Sequence, residues 1–437
     1  MVRRLSIACV AGAFLIAPPT QAIDWSNPDA VVQAAIDVNP SLASLSAQIR
    51  AAKERVIPAG SLPNPMALGG VQNQQIDLTT DPMMTMYWVG ASQTLVRKSR
   101  RDALRHSAEL DVERLQREYE SRRAEVERDV RSAYIEAAAA QNQFSATLEI
   151  ANLLKSVIEA SQARYETGAV PQADLIRAML EESNVEHQLI ALRRQRNAAV
   201  ARLLPLLSLP AATLVPPFSL QHEMNGEHER GFDATLPDTT PAVAELQAEV
   251  AGAEEDIRLA KLATRPDVNV EASYGVRPQN KDMFSLTARI ELPIRKSTII
   301  EPLIREAIAR RDAARQQIEV LRLALLQDLG SDLVLRNEAV EQIDLHLNKL
   351  VPQAKLGFES ALAAYQSGKT AFDAVLGSLR TYVALNVDYY DFLRQRLQAE
   401  VDIEAIRRGA RGGMSTSPAT PMGSGPTMSV SSSKSMQ

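Results

Sequence analysis

Over residues 268–276 and again over 284–292 the chain changes polarity at every step. Val268, Val270, Ala272, Tyr274 and Val276 alternate with Asn269, Glu271, Ser273 and Gly275. After the turn-forming run Arg-Pro-Gln-Asn-Lys-Asp at 277–282, Phe284, Leu286, Ala288, Ile290 and Leu292 alternate with Ser285, Thr287, Arg289 and Glu291. A period of two over two runs joined by a turn predicts a β-hairpin, here with one wholly apolar face and one polar, partly charged face. A weaker version spans 66–76 and 83–95 and carries Tyr87 and Trp88. Arg-Lys-Ser follows both, at 97–99 and at 295–297.

Elsewhere the period lengthens to three and four. Val112, Leu115, Tyr119, Val126, Val130, Ala133 and Ala137 form a narrow heptad-like stripe, and no proline or glycine interrupts the chain from Arg97 to Glu166. This predicts one helix of roughly 100 Å at about 1.5 Å per residue. It ends at Tyr-Glu-Thr-Gly-Ala-Val-Pro, 165–171, where Gly168 suits a left-handed C-terminal position and Pro171 can open the next helix. That helix, 171–204, is closed by Pro205 and Pro210. A second pattern starts near Pro302 and includes Ile318, Leu321, Leu325 and Leu329. It runs, with a kink expected at Pro352, to Tyr-Gln-Ser-Gly, 365–368, and a last helix reaches 408. Tyr165 and Gly168 thus recur as Tyr365 and Gly368, and Arg-Gln-Arg at 194–196 recurs at 394–396. The chain is built twice.

The predicted organisation is an export signal at 1–22, a first repeat at 23–204, a connector at 205–240, a second repeat at 241–412 and a Ser/Pro/Met tail at 413–437. Within the repeats the hairpins occupy about 66–95 and 267–293. Arg3 and Arg4, the apolar run Leu5–Ala17 and the small residues Thr20 and Ala22 have the form of a cleaved secretory signal. The only cysteine, Cys9, lies inside it, so the mature chain would carry no disulfide, thiolate metal site or lipid-bearing cysteine. No window is apolar enough for a transmembrane helix. With 48 basic and 53 acidic residues the chain lacks a nucleic-acid-binding footprint. There is no P-loop, nucleophile elbow, dinucleotide loop or HExxH, so no enzyme and no cofactor is expected.

A narrow apolar stripe needs neighbours on both flanks, and four strands with an apolar outer face cannot close a barrel. If the hairpins enter lipid, their backbone must be completed by further copies; three would supply twelve strands. On residues alone, a membrane duct and a periplasmic helical scaffold or adaptor without a barrel both remain open.

The order of elements and the two Tyr-x-x-Gly turns, with Pro-Asn-Pro at 63–65 and Ser-Gln-Thr-Leu at 92–95, resemble the TolC family of outer-membrane efflux proteins. The resemblance implies a mainly α fold with a β-barrel part: a homotrimer with a 12-stranded barrel in outer-membrane lipid, continued by a long periplasmic α-helical barrel. It also implies a passive exit duct served by a periplasmic membrane-fusion adaptor and an inner-membrane pump of the RND type. Tyr165, Gly168, Asp174, Tyr365 and Gly368 would form the periplasmic tip and dock the adaptor. Family tips often carry aspartates six and nine residues after the second glycine. This chain has Ala374 and Gly377 there and Asp373 one step earlier, which makes Asp373 the candidate pore gate. Val268, Val270, Tyr274, Phe284, Leu286 and Ile290 would face lipid.

Methionines cluster near the hairpins as Met66, Met83, Met84, Met86 and Met283, and Asp-Pro-Met-Met-Thr-Met at 81–86 resembles the heavy-metal branch of that family. Thioethers suit Cu(I), so Met83, Met84 and Met86 are candidate metal contacts. Apolar filler on a lipid-facing surface explains strand methionines equally well. His222, Met224 and His228 in the connector are a weaker candidate set.

Overall fold

The computed structural model describes residues 23–73, 84–218, 237 and 240–410. Two short helices open the chain, α1 (Pro28–Val38) and α2 (Pro40–Ala59). Each begins with a proline behind an asparagine cap. Asn27 Oδ1 accepts the Asp29 N–H at 2.9 Å, and Asn39 Oδ1 accepts the Ser41 N–H at 2.9 Å. This satisfies donors that a helix start leaves open, while proline has none to lose. β1 (Met66–Gln72) and β2 (Met86–Leu95) follow, then α3 (Lys98–Glu166) and α4 (Gln172–Leu206). The second half repeats the order with α5 (Pro241–Leu262), β3 (Val268–Val276), β4 (Met283–Ile290), α6 (Glu301–Leu345), α7 (Val351–Gln366) and α8 (Phe372–Arg408).

α3 runs for 69 residues without a break, about 100 Å at the usual helical rise. Its counterpart is divided, because Pro352 lacks the N–H that a continuous ladder needs. The interruption is a π turn at His346–Leu350, just before the proline. A widened turn absorbs the missing bond, so the expected break falls ahead of Pro352 and not at it.

The two hairpins are one sheet. β1–β2–β3–β4 lie side by side, all antiparallel, with β2 and β3 joining the halves. Opposite residues share a face, so the register sorts the side chains directly. Val71, Tyr87 and Val276 form one row, Gly69, Val89, Tyr274 and Phe284 the next, then Ala67, Ala91, Ala272 and Leu286. Gln93, Val270 and Ala288, and then Leu95, Val268 and Ile290, complete that face toward the helices. The opposite face carries Ser92, Glu271, Thr287 and Arg289, with an Arg289–Glu271 ion pair at 2.8 Å.

α3 is the spine: α1, α2, α4, α5 and α8 all pack on it, while α6 packs on α5 and α8, and α7 on α8. Near its middle the stripe widens into near-complete burial. Ala133, Tyr134, Ile135 and Ala137–Ala140 are all buried, among Val31 and Val32 of α1, Leu203 of α4 and Leu393 and Leu397 of α8. Four consecutive alanines let helices approach on several sides. Tyr134 stacks edge-on against Phe218 at 5.1 Å and donates its hydroxyl to the Trp25 carbonyl at 3.0 Å, tying down the start of the described chain. Among the described residues no helix is long and apolar enough to cross a membrane. The proposed export signal, Met83, the connector set His222, Met224 and His228, and the tail lie outside the described residues.

Candidate functional site: the sheet face and the tip turns

Two regions at opposite ends of α3 carry the chemistry. The first is the apolar sheet face. Tyr274, Phe284, Leu286 and Ile290 are exposed in the single chain, while Val268 and Val270 are half-buried on the same face. Tyr87, Tyr274 and Phe284 collect at its outer end, where the Tyr274 hydroxyl donates to the Asp282 carboxylate. Aromatic rings with a polar tip at the border of an apolar band are what a membrane interface favours. Among the described residues β1 and β4 are the edges of this sheet, with no further strand beside them. A lipid-immersed edge leaves backbone groups without partners.

The second region is the pair of helix reversals. Gly168 and Gly368 have φ of 69° and 75°. In each turn the glycine N–H reaches the tyrosine carbonyl at 2.9 Å (Gly168 to Tyr165, Gly368 to Tyr365). The following N–H reaches one residue further back, Ala169 to Arg164 at 2.8 Å and Lys369 to Ala364 at 2.9 Å. These are matched Schellman caps. Tyr-x-x-Gly is therefore a spacing set by the cap, with glycine required by the positive φ.

Side chains break the symmetry. Tyr165 is 40% exposed, whereas Tyr365 is 1% exposed. Tyr365 packs against Phe372 at 5.3 Å between ring centres and extends its hydroxyl to Ser161 Oγ at 3.3 Å. Arg164 lies 4.6 Å over the Tyr365 ring and donates to the Tyr365 carbonyl, so the end of α3 holds the second turn. At the shift of 200 residues the counterparts of Arg164 and Phe372 are Ala364 and Gln172. The repeat itself shows where the two turns part company.

Above the turns, α4 and α8 are bridged by charge. Asp373 is exposed, and Arg177 Nη1 stands 2.9 Å from its carboxylate. Asp174 sits in the first turn of α4, where a helix start favours negative charge. Two turns up α8, Arg380 grips Glu181 with Nε at 3.0 Å and Nη2 at 2.6 Å. Glu181 is only 7% exposed, and the hydrogen bond from Arg380 holds its carboxyl below the usual range against the opposing effect of burial. Neither pair is visible from local patterns, because the partners are 196 and 199 residues apart.

Sequence reasoning also missed a carboxylate cluster midway along the wall. Asp328 and Asp332 of α6, Asp402 of α8 and Arg128 of α3 line a cleft of about 360 Å³. Burial, then Asp402 and Asp328, push Asp332 up to about 6. Burial likewise raises Asp402, which Gln398 and Arg128 partly offset. Because the folded chain holds this proton more tightly than the unfolded chain does, the stabilising contribution is complete below the ordinary value of 3.8 and lost as pH rises through about 6. Asp332→Asn should therefore raise the melting temperature at pH 7.5, with the gain disappearing at pH 4. An equal gain at both pH values would remove the charge explanation.

Among the described residues, no three His, Cys, Asp or Glu side chains are placed to hold a metal. The profile of the outer membrane efflux protein family matches residues 31–208 and 238–407. The chain belongs to the outer membrane efflux protein family. Its members are transport channels of the outer membrane with a periplasmic helical extension, not enzymes, which sets aside a scaffold without a barrel. Efflux proteins of this family form trimers and work with an adaptor and an inner-membrane pump. The fold agrees with solved channels. CusC is 16% identical with a TM-score of 0.76, covering 88% of this chain and 92% of its own. VceC of Vibrio cholerae is 15% identical with a TM-score of 0.73, covering 87% and 96%. MtrE of Neisseria gonorrhoeae is 15% identical with a TM-score of 0.73, covering 89% and 90%. No curated protein matches the chain.

Proposed function

We propose that this efflux protein presents the apolar sheet face to outer-membrane lipid and lines a passive duct with the polar face. The observation that carries this reading is the register. Across four strands it leaves a continuous apolar face, broken only by Gln93, opposite a face bearing Glu271 and Arg289. Membrane barrels alternate apolar-out and polar-in in this way. The open edges at β1 and β4 support closure by other copies, β4 of one protomer pairing with β1 of the next. β2, with 10 residues, has the length of a tilted membrane-spanning strand, which takes roughly 9–11 residues.

The other end supports docking. Both tip turns would meet the adaptor, and the exposed ring of Tyr165 is the contact we assign to it. The pump we expect is of the RND type, and soft metal ions are the cargo we favour. Energy would come from the pump, and nothing in the duct need react.

Cell fractionation followed by mass determination in mild detergent tests the assembly. The expected product is a trimer of the mature chain in the outer-membrane fraction. A monomer or dimer in the soluble periplasmic fraction would rule out a lipid-facing sheet.

A further inference from the structure

The strand methionines lie on the face opposite the apolar one. The register puts Met66, Met86 and Met283 on the polar face, in the same rank as Ser92, Glu271 and Arg289. With the polar face lining the duct, filler would not account for these three, since a side chain directed away from lipid gains nothing there by being apolar. Of the candidates Met83, Met84 and Met86, only Met86 belongs to a described strand. Met84 precedes β2 and is exposed.

We propose that Met86 and Met283 together form a contact site for a soft monovalent cation, Cu(I) or Ag(I), at the outer mouth of the duct. Gly275 leaves room for the site. It stands directly opposite Trp88 on one side and Met283 on the other. A Cβ on Gly275 would meet Met86 Sδ at 2.5 Å, so the thioether occupies the space that a side chain at 275 would fill. Directly opposite Cβ atoms in an antiparallel pair are about 4.5–5.5 Å apart. The Met86 sulfur therefore lies within reach of Met283, whose side chain has three rotatable bonds. Trp88 is turned the other way, its ring 3.1–3.2 Å from where a Gly70 Cβ would be, and leaves the space over Gly275 to the thioether.

Two neutral sulfur donors select soft cations over hard divalent ones. A two-donor contact also binds weakly, and a conduit needs sites strong enough to enter and weak enough to leave. The proposal rests on the reading that the polar face lines the duct.

The full-length trimer carrying Trp25→Phe leaves Trp88 as the only tryptophan, next to the site. Titration with silver nitrate in chloride-free buffer should quench it saturably, and zinc should not. Met86→Leu/Met283→Leu, close in volume, should shift the silver midpoint at least tenfold. Should the double variant fail to assemble, Met283→Leu alone should shift it at least threefold. Unsaturable quenching, an unchanged midpoint or an equal response to zinc would overturn the site. Brominated detergent and acrylamide test the underlying orientation separately. Quenching of Trp88 by the detergent, and not by aqueous acrylamide, would show the polar face in lipid and sink the duct reading itself.

Discussion

Leu286→Arg is expected to abolish outer-membrane assembly, whereas Ser285→Arg, one residue away, should leave the trimer largely intact. Leu286 is 69% exposed in the single chain and sits in the middle row of the apolar face with Ala91 and Ala272. An arginine at the membrane midplane of a barrel costs about 2–4 kcal/mol, and a trimer bears it three times. Ser285 lies on the polar face beside Ser273, where an added cation meets water. The check is trimer yield in washed outer membranes, expected to fall at least roughly tenfold for Leu286→Arg, since each 1.4 kcal/mol is about a factor of ten. Comparable yields for the two variants, or a larger loss for Ser285→Arg, would mean that the sheet faces the other way.

Tyr365→Ala should destabilise the tip far more than Tyr165→Ala, although the repeat makes the two positions equivalent. Removing a large buried aromatic costs about 3–5 kcal/mol. Tyr365 also loses its packing on Phe372, its hydroxyl bond to Ser161 and the Arg164 guanidinium above its ring. Tyr165 is half in solvent, and surface changes of that kind stay within about 0.5 kcal/mol. Hydrogen exchange across residues 355–380 reads the difference locally, with protection lost in Tyr365→Ala and kept in Tyr165→Ala. If the ring of Tyr165 is an adaptor contact, its removal should weaken capture of the adaptor without loosening the tip. Equal loss of protection in both variants would contradict the packing asymmetry.

Much of this was legible in the residues. Alternation at 268–276 and 284–292 needs no partner to be read, because strand side chains alternate by covalent geometry. A 69-residue helix free of proline and glycine announces itself for the same reason. Tyr-x-x-Gly was legible as a turn because a positive φ and a Schellman cap are local events. Even the duplication was open to view, and with it the expectation that further copies must complete the sheet.

What remained hidden depends on which strands and helices meet. That β2 pairs with β3 to merge two hairpins, and that Met86 consequently lies over Gly275, follows from a register between strands about 180 residues apart in sequence. Glu181 and Arg380, or Asp332 and Asp402, acquire their shared fields only when α4, α6 and α8 are packed, since charge interactions depend on distance in space. The burial of Tyr365 against the exposure of Tyr165 is of the same kind. Local geometry gave both tyrosines the same cap, and only tertiary packing, through Arg164 and Phe372, made one of them part of the core.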